Sequence, residues 1–363
     1  MVIGRTYFIY TAFTDKMNFM KKMAALSQAS HEGKGYVRMK ASLNDILKKN
    51  GIMLIDGSMG SALEELGANL NNKLWTACVL AENPDMVKTV HLNYFRAGAD
   101  SGITCSYQAT IPGLMANGYS KEEAEQLIRR SVEIFLSARE EWWESEGKAD
   151  GRAYPLCLAG IGPYGAYLAD GSEYTGNYNI SDAELDAFHR HRAELLSAAG
   201  ADILLFETQP SLKEVLIEAQ IAEELEKDYW ISFSCMDGKH TNKGEAVSEC
   251  AKILSKDHPH LKMIGVNCTK PEYIVSLIGE LKKGTSLPIA VYPNSGETYD
   301  PTTKTWTSTQ GSLDFGEYAL QYMMAGASAV GGCCTTVDKH IRQVVEARAK
   351  YLAMGKPTPM RAL

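Results

Sequence analysis

Eight short apolar runs punctuate the chain, at residues 52–55, 102–107, 155–161, 203–206, 230–235, 263–268, 288–292 and 327–332, with polar, acidic, cysteine or glycine residues at or just beyond the end of each. Continuous runs of this length, without strict alternation, predict strands buried on both faces of a parallel sheet. Ahead of them lie longer stretches whose apolar residues recur every three or four positions. That spacing predicts helices over 42–49, 85–97, 121–144, 182–199, 211–226, 246–255, 271–283 and 315–325. Ser42 is placed to cap the first, with Leu43, Ile46 and Leu47 on one face and Gly51 as its stop.

Eight strands alternating with helices over about 300 residues predict an α/β fold, a single-domain (β/α)8 TIM-type barrel. An open sheet of five or six strands is the competing reading. In the barrel, chemistry sits at the C-terminal ends of the strands. Those ends read Asp56-Gly57, Ser106-Tyr107-Gln108, Gly162-Pro163, Glu207-Thr208, Ser234-Cys235, Asn267-Cys268, Asn294-Ser295-Gly296 and Cys333-Cys334. The barrel is expected to occupy 42–355 and a short tail 356–363. Residues 1–41 hold Met17, Met20, Met23 and Met39, mixed charges and no sustained periodicity. They predict a poorly ordered leader, with neither the apolar core of a secretory signal nor the Arg-rich face of a mitochondrial presequence.

Composition narrows the function. A chain of 363 residues with 45% hydrophobic content can bury a large core. The net charge of −7, from 37 basic and 44 acidic residues without a Lys/Arg block, argues against nucleic acid and anionic membranes as partners. No apolar run approaches the roughly 20 residues that cross a bilayer. Five of the eight cysteines, Cys105, Cys157, Cys235, Cys268 and Cys333, fall in or at the end of strand-like runs, which suits free thiols in a reducing cytoplasm.

The cysteines also carry the candidate chemistry. Successive side chains on a strand alternate faces, so Cys333 and Cys334 reach one site only if the backbone breaks, and Gly331 and Gly332 permit that. With Cys268 at the end of another strand, they predict a three-thiolate zinc site with an open fourth position. Packing residues, a vicinal disulfide, or Cys235 as a rival ligand are the competing readings. Zinc on three thiolates is a weak activator of water but lowers the pKa of a fourth thiol and keeps it nucleophilic. The implied chemistry is alkyl transfer to a thiol.

The segments Ile264-Gly265-Val266-Asn267-Cys268 and Gly331-Gly332-Cys333-Cys334-Thr335-Thr336 resemble the two motifs of the homocysteine S-methyltransferase family. The likeness extends over about residues 42 to 350, through Asp56-Gly57-Ser58-Met59-Gly60, Leu74-Trp75, Ser106-Tyr107-Gln108-Ala109-Thr110, Phe206-Glu207-Thr208 and the long run from Gly162 to Tyr174. These longer runs look most like the branch that uses S-methylmethionine or S-adenosylmethionine. The resemblance implies one zinc ion per chain on Cys268, Cys333 and Cys334, with homocysteine sulfur in the fourth position. It implies Asp56 and Glu207 as holders of the homocysteine ammonium; Asn267, beside a ligand, is expected to orient the cysteine loop or the substrate. A sulfonium donor suits aromatic faces, for which Tyr107, Tyr164, Tyr174 and Trp306 are the candidates. Loops 165–176 and 294–306 are expected to cover the site. Selenocysteine as the acceptor, or a non-catalytic zinc or redox protein, are the alternatives.

Overall fold

The computed structural model describes residues 40–296, 298–300, 305–307 and 314–355, so the expected tail, and the leader apart from its last two residues, lie outside the described residues. The strands are β1 (Met53–Leu54), β2 (Ser101–Ile103), β3 (Leu156–Ile161), β4 (Ile203–Gln209), β5 (Tyr229–Phe233), β6 (Leu261–Asn267), β7 (Ile289–Tyr292), β8 (Thr298–Asp300), β9 (Thr305–Thr307) and β10 (Ala329–Val330). Eight of them form one sheet in the order β1-β10-β7-β6-β5-β4-β3-β2, every pairing parallel. Every residue of β3, β4, β5 and β7 is buried, as a sheet covered on both faces requires.

The sheet's two edges, β1 and β2, meet through a seam. Leu54 N–H donates to Asp100 Oδ2 (2.9 Å) and Asp100 N–H to Leu54 O (2.7 Å). Higher up, Ile103 N–H donates to Asp56 Oδ2 (3.0 Å). Carboxylates thus stand in for ladder bonds, and the open-sheet alternative gives way to a nearly closed (β/α)8 barrel.

Between strands run α1 (Leu43–Asn50), α2 (Pro84–Ala97), α3 (Lys121–Trp142), α4 (Asp182–Ala198), α5 (Leu212–Glu224), α6 (Val247–Leu254), α7 (Ile274–Gly284), α8 (Phe315–Ala325) and α9 (Asp338–Ala353). The first eight occupy the stretches that the periodicity marks. Helix α9 is not among the predicted helices, although Ile341, Val344, Ala347 and Tyr351 recur every three or four positions along its buried face. It completes the ring and brings Arg348 Nη1 within 2.5 Å of Asp100 Oδ2, at the seam.

The N-terminal ends of β2 and β4 share a device. Gly98-Ala99-Asp100 and Gly200-Ala201-Asp202 each follow a helix, with the glycine at φ 118° and 100°, where a Cβ is disfavoured. Asp202 accepts from Cys157 N–H (2.8 Å) and from the buried Arg139 (2.5 Å), repeating the Asp100 arrangement two strands along. Charged groups at this end brace the barrel, as its stability face should.

Candidate active site

At the opposite end, β10 stops at Val330 and the chain turns away. Gly332 N–H donates to Asp56 O (3.1 Å), Cys333 N–H to Pro293 O (2.7 Å) and Thr336 N–H to Cys333 O (3.1 Å). Thr335 N–H donates to Ser61 Oγ (3.1 Å). The strand ends at Val330, so the regular alternation stops at Gly331-Gly332, ahead of the two cysteines, and a left-handed Thr335, with φ 63°, then turns the chain away. The glycines meet a packing need: a Cβ on Gly331 would fall 2.6 Å from Ile55 Cβ, and one on Gly332 2.3 Å from Thr336 Oγ1.

Cys268 leaves β6 with φ 47° and points its sulfur at the same place. Its Sγ lies 3.1 Å from Cys333 Sγ and 3.5 Å from Cys334 Sγ. All eight cysteines are free thiols, so the vicinal disulfide is not formed. Cys235 is buried apart from the group; its N–H donates to Thr269 Oγ1 (3.0 Å), bracing the loop after Cys268. Hydrogen bonds from Cys268 and Cys334 hold the Cys333 thiol well below the usual range, while donating to Cys333 pushes Cys268 up. Three sulfurs drawn together in this way are a donor set that suits a soft metal ion. A tetrahedral shell with metal–sulfur bonds of about 2.3 Å spaces its sulfurs roughly 3.8 Å apart, so a small relaxation fits the three to a zinc ion.

Asn267 ties the neighbouring strand ends together. Its Oδ1 accepts from Thr208 N–H (2.8 Å), and its Nδ2 donates to Thr208 Oγ1 (2.8 Å) and approaches Cys333 Sγ (3.8 Å). Thr208 needs that clasp: it is β-branched, sits at φ 61°, and lies where the β4–β5 register shifts. The bulge aims Glu207 into the site. Gly160 leaves room for it, since a Cβ there would fall 2.7 Å from Glu207 Oε1. Asp56 lies just beneath, with Oδ1 buried and unpartnered. Burial pushes both carboxyls well above the usual range, and the Cys333 charge adds to each. A cation placed between them would relieve all three.

These groups open into a cavity of about 510 Å³ whose lining includes all three cysteines, Glu207, Tyr107 and Tyr174. Its outer wall is a strap, residues 164–178, with a short helix Tyr164–Leu168 and a turn Ser172–Tyr174. Tyr164 departs from expectation. It is not among the lining residues but packs beneath the strap, its ring 5.6, 5.5 and 5.0 Å from those of Tyr167, Tyr178 and Phe188. Trp306 belongs to β9, whose backbone pairs with β8 in a hairpin, Tyr299 opposite Trp306; its side chain lies outside the described residues. Two lining residues have no assigned role from the sequence. Trp75, at φ 48°, sets its ring edge-on to Tyr107 at 6.4 Å, and Glu173 comes from the strap. Nothing in periodicity marks either; both stand in motifs that carry the family resemblance.

A buried polar cluster moors the strap. Glu214, on α5, accepts from Tyr164 N–H at Oε1 (2.6 Å) and from the Tyr178 hydroxyl at Oε2, so one carboxylate holds both ends. His189 Nε2 meets Glu214 Oε1 at 2.8 Å and Glu218 Oε1 at 3.4 Å. Arg192 donates to Gly162 O (2.8 Å) and Tyr107 O (3.3 Å), and sits 3.1 Å from His189 Nδ1. Burial pushes the Glu214 carboxyl up to about 8 and holds His189 well below its ordinary value, hence neutral. Although His189, Glu214 and Glu218 have metal-ligand types at metal-ligand spacing, the Arg192 guanidinium already supplies the positive charge there.

Comparison with known proteins agrees with this geometry. The family model described as homocysteine S-methyltransferase matches residues 53–348. The homocysteine S-methyltransferase YbgG of Bacillus subtilis is 47% identical over 303 residues, covering 83% of this chain and 96% of its own, and homocysteine S-methyltransferase 1 of Zea mays is 44% identical, covering 82% and 95%. A selenocysteine Se-methyltransferase from Brassica oleracea is 42% identical, covering 84% and 91%. The metallated form of the homocysteine methyltransferase MmuM from Escherichia coli superposes with a TM-score of 0.74 at 37% identity, covering 85% of this chain and 99% of that one. The chain belongs to the homocysteine S-methyltransferase family.

Proposed function

We propose that this enzyme transfers a methyl group from S-methylmethionine, or less efficiently from S-adenosylmethionine, to the sulfur of homocysteine, giving methionine. The observation that carries the reading is the convergence, at one end of one cavity, of three sulfurs within 4.8 Å of one another and the buried carboxylate Glu207, with the buried Asp56 behind the lining and close enough for its charge to act on Glu207. A thiol amino acid matches that pairing of charge and softness. Cys268, Cys333 and Cys334 would hold one zinc ion per chain. Zinc there supplies the charge that keeps the homocysteine sulfur anionic at neutral pH.

The chain's own residues do the positioning. Glu207 takes the homocysteine ammonium, with Asp56 Oδ1 beneath it, because a cation leaving water needs a carboxylate partner. Asn267 fixes the bulge from which Glu207 projects. The rings of Tyr107, Tyr174 and Trp75 offer their faces to the sulfonium. The new sulfur–carbon bond forms as the methyl–sulfonium bond breaks, in line. The electron pair returns to the donor sulfur, which departs as a neutral thioether, so no general acid is needed. Holding the two sulfurs in line is the main catalytic contribution.

A second acceptor has support in the selenocysteine Se-methyltransferase relative, since selenocysteine presents the same ammonium and a softer nucleophile. Free thiols throughout suit a cytoplasmic enzyme, and among the described residues no helix is long and apolar enough to cross a membrane. The test is methionine formation by the purified, zinc-analysed protein with homocysteine and, separately, S-methylmethionine, S-adenosylmethionine and betaine. Turnover is expected with both sulfoniums, faster with S-methylmethionine, lost on chelation and restored by zinc. Turnover with betaine alone would overturn the donor assignment.

A further inference from the structure

Glu173 has no part in the sulfur chemistry, yet it lines the same cavity, and its Oε2 is buried without a hydrogen-bond partner. Its place is tightly set. The turn that carries it lies directly on Gly165, where a Cβ would fall 2.5 Å from Glu173 N, and Glu214 moors the strap on either side. Among the described residues no Lys, Arg or His pairs with its carboxylate. The only cation among the described residues that line the cavity is Lys73, which is exposed, against the carboxylates of Glu64, Asp170, Glu173 and Glu207.

The acids fall into two groups. Glu207 feels the charges of Cys333 and Asp56, whereas Glu173 feels that of Asp170. Tyr107 and Tyr174 bridge them, each feeling both Glu173 and Cys268. In the lining, Glu207 and the sulfurs thus stand at strand ends and Glu173 on the strap, with Tyr107 and Tyr174 close to both. A sulfonium amino acid lying with its methyl toward the sulfurs and its sulfonium over the rings carries its ammonium a few bonds farther on.

Building on the proposed reaction, we infer that Glu173 binds the α-ammonium of the methyl donor and so selects sulfonium amino acids over sulfonium donors that lack an amino group. Glu173 is thus a specificity residue for the donor, as Glu207 is for the acceptor. Glu173 is half-buried with Oε2 shielded from water, and leaving that oxygen without its cation is costly, which makes rejection of the wrong donor stronger than attraction alone would.

The experiment compares wild type, Glu173→Gln and Glu173→Asp, all zinc-loaded, with homocysteine as acceptor and either S-methylmethionine or 3-(dimethylsulfonio)propanoate, which has the sulfonium and carboxylate but no amino group. Wild type should prefer S-methylmethionine by about 10–100-fold in kcat/KM, the worth of a charge-assisted hydrogen bond. In Glu173→Gln that preference should collapse through a raised KM for S-methylmethionine, with homocysteine KM and zinc content within twofold of wild type; Glu173→Asp should fall between. An unchanged preference in Glu173→Gln, an equal loss on both donors, or a raised homocysteine KM would each overturn the inference. Wild type inactive with both sulfoniums would instead overturn the proposed reaction itself.

Discussion

The two walls of the cavity are built by different means. The sulfur wall grows out of strand ends: Cys268 from β6, Cys333 and Cys334 from β10, Glu207 from β4, with Asn267 clasping Thr208 across the gap. The donor wall is a strap that belongs to no strand and is held from behind by Glu214, on a helix. The first wall inherits the rigidity of the barrel. The second hangs on side-chain hydrogen bonds, to Glu214 at its two ends and from Gln108 Nε2 to Ala166 O and Lys243 Nζ to Gly176 O between them. In the proposed reaction the sulfurs need fixed distances, whereas the donor must enter and its thioether product must leave, so the difference matches the work proposed for each wall.

The largest expected effect comes from breaking the sulfur wall. Cys268→Ala removes one of the three proposed metal ligands at a partly exposed strand end, where the barrel core is untouched. Zinc content and turnover should both be lost while the thermal midpoint of the metal-free protein stays within a few degrees of metal-free wild type. Retained turnover in a metal-free variant would remove the reason for assigning the sulfurs to catalysis at all.

A smaller effect is expected one layer back. Asn267→Ala deletes both bonds to Thr208 and leaves a buried N–H unpaired, which costs about 1–3 kcal/mol. It also frees a β-branched residue from a backbone conformation it disfavours. Thr208 should relax, carrying Glu207 with it. Homocysteine KM should rise about tenfold while the KM for S-methylmethionine holds within twofold. Equal rises in both would mean that the two walls are not separate.

The same division explains what could be read in the sequence. Strand ends are legible, because a continuous apolar run stops where a ligand-type residue begins: Asn267-Cys268, Glu207-Thr208 and Gly332-Cys333 announce themselves. The backbone break was legible too, because the strand stops at Val330, directly ahead of Gly331 and Gly332. The left-handed turns at Cys268, Thr208 and Thr335 were not, because no glycine marks them. The strap was harder still. Tyr164 and Tyr174 are ten positions apart in one aromatic-rich run, and only the fold shows that the first faces Phe188 and the second the sulfurs. Glu214 on α5 looks like an ordinary polar position of an amphipathic helix; its partners at 164, 178 and 189 are all distant in sequence.

The smallest effect, and the sharpest comparison, is at Glu214. Its folded-state pKa of about 8 means that at neutral pH it is largely the neutral acid, with His189, Arg192, Glu218, Gln209 and Tyr178 packed around it. Glutamine has that shape and also accepts at its carbonyl, so Glu214→Gln should keep the strap moored, whereas Glu214→Ala leaves Tyr164 N–H and the Tyr178 hydroxyl without their acceptor. Donor KM should rise several-fold in Glu214→Ala and little in Glu214→Gln, with homocysteine KM unmoved in both. The sign of the pH dependence follows from the same proton. A glutamate ionising near 4.3 in the unfolded chain and near 8 in the folded one stabilises the fold fully below the first value, and that contribution is lost as pH rises through the second. The thermal midpoint of wild type should therefore fall between pH 6 and pH 9, and Glu214→Gln, which has no proton to lose there, should fall less steeply. An equal slope in the two proteins would place the titration elsewhere in the buried cluster, Glu218 being the next carboxyl in line, because burial and the charge of Glu214 push it up as well.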